Sequence, residues 1–535
     1  MLRKKIITTL FLFFISSQTE ARLLDTDWDE QLAFDQLVSC GLVEKPFYGQ
    51  RPWTHQTIIR SLESVKSFSG HSACSQEVVD GLLRNFEDYR KTLSSSQPND
   101  QSKIHIKPIE GISFSYNYLS GGSLSYVNNN RGTVDAIANT FLENTAQKVR
   151  GEGHNVLFSS AHYFSWYGQD LYLEPLLGVL GSNDLLRVDD AVVTWQQAYA
   201  HFNKWRMDMI VGRSPVLWGQ GEHGGLLFTD NARPLDVIQL TNAQPVRFPW
   251  LFGRLGVFKF SFVFGTLGPE QFFPHTLFSG LSLGYKPASF LEFNLSHVLQ
   301  FGGEGAPDLG FTTGLREFFG FIPGISQTAV RGGNKITGFN LRFFADRLMG
   351  LQGYLEYAMD DSNLSGGSAA LKKHFTANSS YLVGLFFTRP FGLTVDSLRV
   401  EMTRFGQIAY RHSLYDGGWT INQHIIGHPS GPDSYSARVA WEHDWSTFRD
   451  RSKVFFQWTS RDSDTYQVSA DGYTETVLNE GPSEQRYAAM AEHAFDWMRL
   501  QWKVGAGFEI IQNYRYVEGN RSGTLLLSSQ INKTF

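Results

Sequence analysis

Leu500-Gln501-Trp502-Lys503-Val504-Gly505-Ala506-Gly507-Phe508-Glu509-Ile510 decides how this chain is read. Leu500, Trp502, Val504, Ala506, Phe508 and Ile510 fall on one face of an extended strand. Arg499, Gln501, Lys503 and Glu509 fall on the other, because successive side chains of a strand point to opposite sides. Downstream, Leu525, Leu527, Ser529, Ile531, Lys533 and Phe535 carry the same alternation to the end, with Lys533 the one departure from an apolar choice. A terminal aromatic on the apolar side is what the outer-membrane assembly machinery of Gram-negative bacteria reads. The ending therefore predicts a strand with one face toward lipid and one toward a polar lumen.

Upstream the period of two recurs. Ile112, Phe114, Tyr116 and Tyr118 alternate with Ser113, Ser115 and Asn117, and Phe258, Phe260, Phe262 and Phe264 form an aromatic stripe. Glu292 and Asn294 lie opposite Leu291, Phe293 and Leu295; Arg399 and Glu401 lie opposite Leu398, Val400 and Met402; Arg438, Glu442 and Asp444 lie opposite another apolar set. A soluble sandwich turns its apolar face inward, whereas a membrane barrel turns it to lipid and its charges to the lumen. The stripes give about 17 to 19 strands, and the even-number preference of single-chain bacterial barrels selects 18. Short turns at Asn203-Lys204, Pro287-Ala288 and Gly350 alternate with longer excursions, of which residues 215–250 and 302–333 are the longest. Excursions of that length carry function or plug a lumen.

The start of the chain agrees. Arg3, Lys4 and Lys5 precede a mostly apolar run from Ile6 to Ile15, and Thr19-Glu20-Ala21 offers a cleavage site, as in a secretory signal peptide. No run of about 18 apolar residues follows, so membrane-crossing helices are not expected. Trp28, Leu32, Leu37, Val38, Ile58, Leu62, Val65 and the set from Val78 to Tyr89 recur at helical spacing, with Gly41, Pro52 and Gly70 as punctuation. The expected organisation is a signal peptide (1–21), a small periplasmic α-helical bundle (22–102) and a transmembrane antiparallel β-barrel (103–535). Cys40 and Cys74 are the only cysteines, and in an oxidising compartment a disulfide between them is expected. The chain has 43 Phe, 21 Tyr and 13 Trp, which fits a barrel with interfacial girdles and equally a secreted all-β enzyme, and its net charge of −5 gives no argument for nucleic acid.

Two motifs match in letters and fail in context. Gly219-Gln220-Gly221-Glu222-His223-Gly224 spells the dinucleotide fingerprint without a βαβ unit around it. Gly280-Leu281-Ser282-Leu283-Gly284 spells a nucleophile elbow, but an alternating strand runs through it. No His spacing suits a metal, so no cofactor or metal is expected.

A further series is more telling. Trp218-Gly219-Gln220-Gly221, Asp230-Asn231-Ala232-Arg233-Pro234, and Gln300-Phe301-Gly302-Gly303-Glu304-Gly305 occur in order. Tyr357-Ala358-Met359-Asp360-Asp361, Tyr415-Asp416-Gly417-Gly418-Trp419 and Ile426-Gly427-His428-Pro429 follow. This set resembles the capsule assembly Wzi family of outer-membrane proteins. The family's motifs usually read Trp-Gly-Pro-Gly and Asn-Asn-Ala-Arg-Pro, where this chain has Gln220 and Asp230. The resemblance implies a barrel of about eighteen strands and a lectin-like, non-enzymatic role in holding capsular or related exopolysaccharide on the cell surface.

The residue types suit sugar: flat aromatics stack on pyranose rings, and carboxylates, amides and guanidinium groups hydrogen-bond hydroxyls. The candidate carbohydrate-binding residues are Trp218, Asp230, Asn231, Arg233, Glu304, Asp360, Asp361, Tyr415, Trp419 and His428. The same residues equally suit locking loops and filling a lumen. Expected partners are the polysaccharide, outer-membrane lipid and, during biogenesis, the barrel assembly machinery, with a monomer as the default. A substrate-selective porin is the alternative, with residues 302–333 as a constriction. An outer-membrane hydrolase using Ser413 or the carboxylate pairs Asp360/Asp361 and Glu442/Asp444 is the third reading.

Overall fold

The computed structural model describes residues 23–24, 31–63, 104–121, 124–126, 132–148, 151–166, 169–182, 190–248, 250–319, 332–360, 379–393, 395–445, 450–468 and 475–535. Eighteen antiparallel strands close into a barrel. They are β1 (Ile104–Ser120), β2 (Gly153–Trp166), β3 (Gln169–Ser182), β4 (Asp190–Lys204), β5 (Met207–Ser214) and β6 (Leu235–Asn242). Next come β7 (Val257–Thr266), β8 (Leu277–Ala288), β9 (Leu291–Phe301), β10 (Gly333–Ala345), β11 (Leu351–Asp360) and β12 (Ser379–Phe387). The last six are β13 (Asp396–Phe405), β14 (Ser434–Asp444), β15 (Arg451–Arg461), β16 (Glu484–Trp497), β17 (Leu500–Gln512) and β18 (Arg521–Thr534). Each strand pairs with its neighbour in sequence, and β1 closes on β18 through Phe114 opposite Ile531. Closure leaves the sheet no free edge.

The faces are those a membrane requires. On β17 Phe508 and Ile510 are exposed outward while Glu509 is 2% exposed inward, and on β9 Glu292 is fully buried in the lumen. Exposed aromatics gather at both ends. Tyr435, Trp458 and Tyr487 stand near one rim, and Trp166, Trp205, Phe290, Trp445, Trp497 and Phe535 near the other. Turns of two residues, such as Trp205-Arg206 and Met498-Arg499, connect strands at the second rim, where residues 243–256 form the longest connection, and the longest excursions leave from the first. These are the short-turn and long-loop rims.

Three results differ from the sequence reading. The excursion over residues 215–250 contains β6, whose inward Leu235 and Val237 are buried beneath other apolar groups. Its outward Ile238 is apolar too, so the alternation that would reveal the strand is erased. The described part of residues 302–333 does not enter the lumen. Helix α3 (Phe311–Phe318) lies on the outer wall, its Phe318 ring 6.4 Å from Phe262 and 5.6 Å from His297. His297, Thr337 and Lys335 are polar residues on the lipid-facing side of β9 and β10; α3 covers them and pairs Glu317 with Lys335. A constriction by this helix is thereby excluded.

The third difference is the N-terminal unit. Helices α1 (Gln31–Ser39) and α2 (His55–Glu63) form where helical spacing predicts. Gly41, at φ 73°, ends α1 with Leu42 N donating to Leu37 O, and Thr54 Oγ1 caps α2 at Thr57 N. They share a core of Phe34, Leu37, Val38, Trp53, Ile58 and Leu62 with Phe344 of β10. The described part of the unit docks on the barrel, and residues 45–53 rise into it. Cys40 is buried and disulfide-bonded. Cys74, Trp28, Val65, the Val78–Tyr89 helix, the linker before β1 and the signal segment lie outside the described residues.

Candidate functional site

Two segments meet inside the lumen, one from each rim. From the short-turn rim, the Lys286 ammonium of β8 holds Lys45 O and Pro46 O at 2.8 and 2.6 Å. Glu292 of β9 accepts Tyr48 N at 3.1 Å and Gly49 N at 2.8 Å. From the long-loop rim, residues 215–234 descend. Gln50 and Arg51 then pair as a two-residue ladder with Trp218 and Leu217, and Arg51 forms an ion pair with Glu222 at 3.2 Å.

The Gly-rich segment 219–226 is explained here. Its backbone amides converge on wall carboxylates: Gln220 N, Gly221 N and Leu226 N donate to Glu356 of β11, the last two at 2.6 and 3.0 Å. Glu222 N and His223 N donate to Glu401 of β13 at 2.7 and 3.1 Å. Successive amides that bend around an anion form the nest that phosphate loops also use. Here the anion is the protein's own glutamate. Gly219, at φ 143°, cannot be replaced without conflict, since a Cβ would sit 2.7 Å from Glu356 Oε2.

Gln220, where the family's usual motif has Pro, is the hub. Its carbonyl and side-chain oxygens each accept from Arg342 at 2.7 Å, and its amide donates to Asn340 at 2.8 Å. The sequence alone marks Gln220 as a departure and does not place it, nor Glu356 or Arg342, in the site. The signal available was that lumen charges need partners once buried.

Above this junction the plug thickens with residues 132–148 and 406–433. Trp218 meets Phe228 edge-on at 5.0 Å, and Phe228 meets Trp419 at 5.6 Å. Trp419 Nε1 donates to Leu227 O at 3.1 Å. Asn231 Nδ2 donates to Ile425 O at 2.8 Å, Asp360 Oδ2 accepts Tyr410 N at 2.7 Å, and the Tyr415 hydroxyl donates to Gly332 O at 3.1 Å. His428 Nδ1 accepts Ser430 N at 3.1 Å and its ring stands 5.6 Å from His223. Trp218, Trp419, Tyr415 and His428 are each 1% exposed. In this conformation the four side chains pack within the plug rather than face solvent. Asn231 and Asp360 are likewise buried by their backbone partners.

Of the remaining candidates, Arg233 is half-buried and pairs with Asp236 at 3.2 Å. Asp230 is half-buried and its carbonyl accepts Ala146 N. Glu304 is open to solvent, and Asp361 lies outside the described residues.

Charge in the plug is arranged in pairs. Burial opposes ionisation of Glu222, but Arg399 and Arg51 outweigh it and hold the carboxyl at about 2. Burial likewise opposes the charge on Glu143, which His223, Arg461 and Gln457 offset, again to about 2. Burial and then Arg438 push His223 down, and burial and then His223 push His428 well down, so both rings are neutral at pH 7. Neutral His223 donates from Nε2 to Glu143 at 2.9 Å. Among the described residues no three His, Cys, Asp or Glu side chains are grouped to hold a metal ion.

The family model for capsule assembly protein Wzi matches residues 121–525. This chain belongs to the Wzi family. The Escherichia coli Wzi structure, described as an outer-membrane carbohydrate-binding β-barrel involved in group 1 capsule assembly, aligns over 97% of this chain and 100% of that one. Its TM-score is 0.65 at 14% identity. An uncharacterised 55.8 kDa protein of the Klebsiella pneumoniae cps region is 25% identical over 156 residues, 29% of this chain and 30% of that relative. The match thus spans less than a third of that relative's length. Pseudomonas aeruginosa OprD superposes with a TM-score of 0.42 at 9% identity, over 81% of this chain and 97% of its own.

Proposed function

We propose that this Wzi-family barrel sits in the outer membrane, long-loop rim outward, and binds capsular or related exopolysaccharide, attaching it to the cell surface without chemical change. The observation that carries this reading is the plug. The long loops spend their polar groups on sealing the lumen, with Glu356 and Glu401 each holding backbone amides from inside the wall. A barrel sealed in this way presents a broad outer surface rather than a channel, and a polymer too large to pass needs a surface. The relative described as a carbohydrate-binding barrel supports the same assignment.

The test is the partition of surface polysaccharide between cells and medium, with and without the gene. Polymer shed into the medium at unchanged total synthesis is the expected result; an unchanged partition would remove the reading. A porin fits poorly, because the plug crosses the lumen and α3 lies outside it. Export through a cleaved signal peptide, assembly by the barrel machinery, a monomeric state and a Cys40–Cys74 bridge belong to this proposal. Non-reducing mass spectrometry of the mature protein checks the first and last.

A further inference from the structure

The plug absorbs most of the candidate residues, but not the loop over residues 267–276 between β7 and β8. This loop is tied down on its inner side. Gln271 Nε2 donates to Thr420 O at 3.0 Å, the Phe273 ring meets Tyr415 edge-on at 5.4 Å, and Pro274 O accepts Glu304 N at 2.8 Å. His275 N donates to Gly268 O at 2.9 Å, with His275 itself held at a positive φ of 58°. With Gln271 and Phe273 both turned toward the plug, the residue between them turns away from it.

That residue is Phe272. It is 60% exposed, and its ring stands 4.8 Å from Phe273 in a T-shaped contact. Phe273 rests on Tyr415, whose hydroxyl is anchored on Gly332 O, so the exposed ring caps a fixed ladder that leads into the plug.

The surroundings are charged rather than apolar. Glu270, His275 and Glu304 are exposed around the same loop, with His275 Nε2 4.0 Å from Glu304 Oε1. The exposed carboxylates would be repelled by lipid phosphates. Arg233, beneath Gly268, is engaged by Asp236.

We propose that Phe272 is the stacking platform of a saccharide subsite, with Glu304 and His275 as its hydrogen-bonding rim and a neutral pyranose unit as its ligand. One face of a pyranose is a sheet of C–H groups that covers an aromatic ring, and its hydroxyls donate to carboxylates. The acidic rim selects against a uronic acid unit, whose carboxylate would face Glu270 and Glu304. This subsite rests on the proposed polysaccharide-binding function.

The experiment measures binding of polysaccharide sheared from the host cells to the purified full-length protein, at low and high salt. Phe272→Ala should weaken binding about tenfold, and Glu304→Gln several-fold. Phe272→Trp should keep or strengthen it, which separates loss of the ring from loss of the fold. Phe290→Ala, at the opposite rim, should match wild type. Binding should be nearly independent of salt; a steep loss at high salt would overturn the neutral-sugar assignment. Wild-type affinity in Phe272→Ala would overturn the subsite and leave the proposed function standing. Failure of the wild-type protein to bind would overturn both.

Discussion

A single carboxylate shows how much of the plug depends on one group. Glu356 is 2% exposed and receives three backbone amides of the Gly-rich segment. Glu356→Ala would leave three donors without acceptors in a closed space, each costing about 1–3 kcal/mol. We expect the segment 219–226 to become cleavable by added protease while the barrel keeps its heat-modifiable migration on gels; uncleaved protein would remove Glu356 from this role. The same residues show what the sequence alone left open at this scale. Trp218-Gly219-Gln220-Gly221 has the aromatic and the flexible backbone of a sugar loop, and it has them because a carboxylate must be wrapped and a lumen filled. Residue type marks a buried clamp and an open binding loop alike; only the path of the chain separates them. Phe272, which carries no family motif, escaped notice for the converse reason.

Among elements, α3 offers the sharpest test, since it is a helix laid on a lipid-facing wall. Glu317 is 2% exposed and pairs with Lys335, which would otherwise stand as a bare ammonium on the outer face of β10. Breaking a buried pair by removing one partner costs about 3–5 kcal/mol, whereas replacing both by apolar groups is often neutral. Glu317→Leu should therefore lower the denaturation midpoint in urea and detergent, and Glu317→Leu with Lys335→Met should restore it. Equal losses in the single and double variants would show that the pair is not what seats the helix. Strands with a polar lumen face, such as β9 with Glu292 and β17 with Glu509, were legible from period two alone. β6 was not, because the plug makes its lumen face apolar at Leu235 and Val237. Helices α1 and α2 were legible, but their docking was not: nothing local in residues 45–53 states that Lys286 and Glu292 await them.

At the scale of the whole molecule the plug and barrel separate by their dependence on pH. Glu143 and Glu222 have pKa values of about 2 in place and 4.5 when released. Their contribution is full above 4.5 and is lost as pH falls from there toward 2. His223 and His428 are held below 6.5, so the released plug binds their protons first, and stability declines once pH drops under 6.5. Both effects have the same sign: acid loosens the plug. The strands have no such dependence on these four groups, and their closed ladder persists. Planar-bilayer conductance should therefore be closed at neutral pH and rise reversibly at about pH 4, where the released histidines bind protons and the carboxylates begin to protonate. The double change His223→Gln and His428→Gln should lower the onset below that of the wild type, leaving only the carboxylate part, which acts below 4.5. A barrel that stays closed throughout acidification would mean that wall contacts such as Arg342 to Gln220 hold the plug by themselves. A barrel already open at neutral pH would mean that the two segments meeting at Gln50 and Trp218 do not seal the lumen, and the porin reading would return.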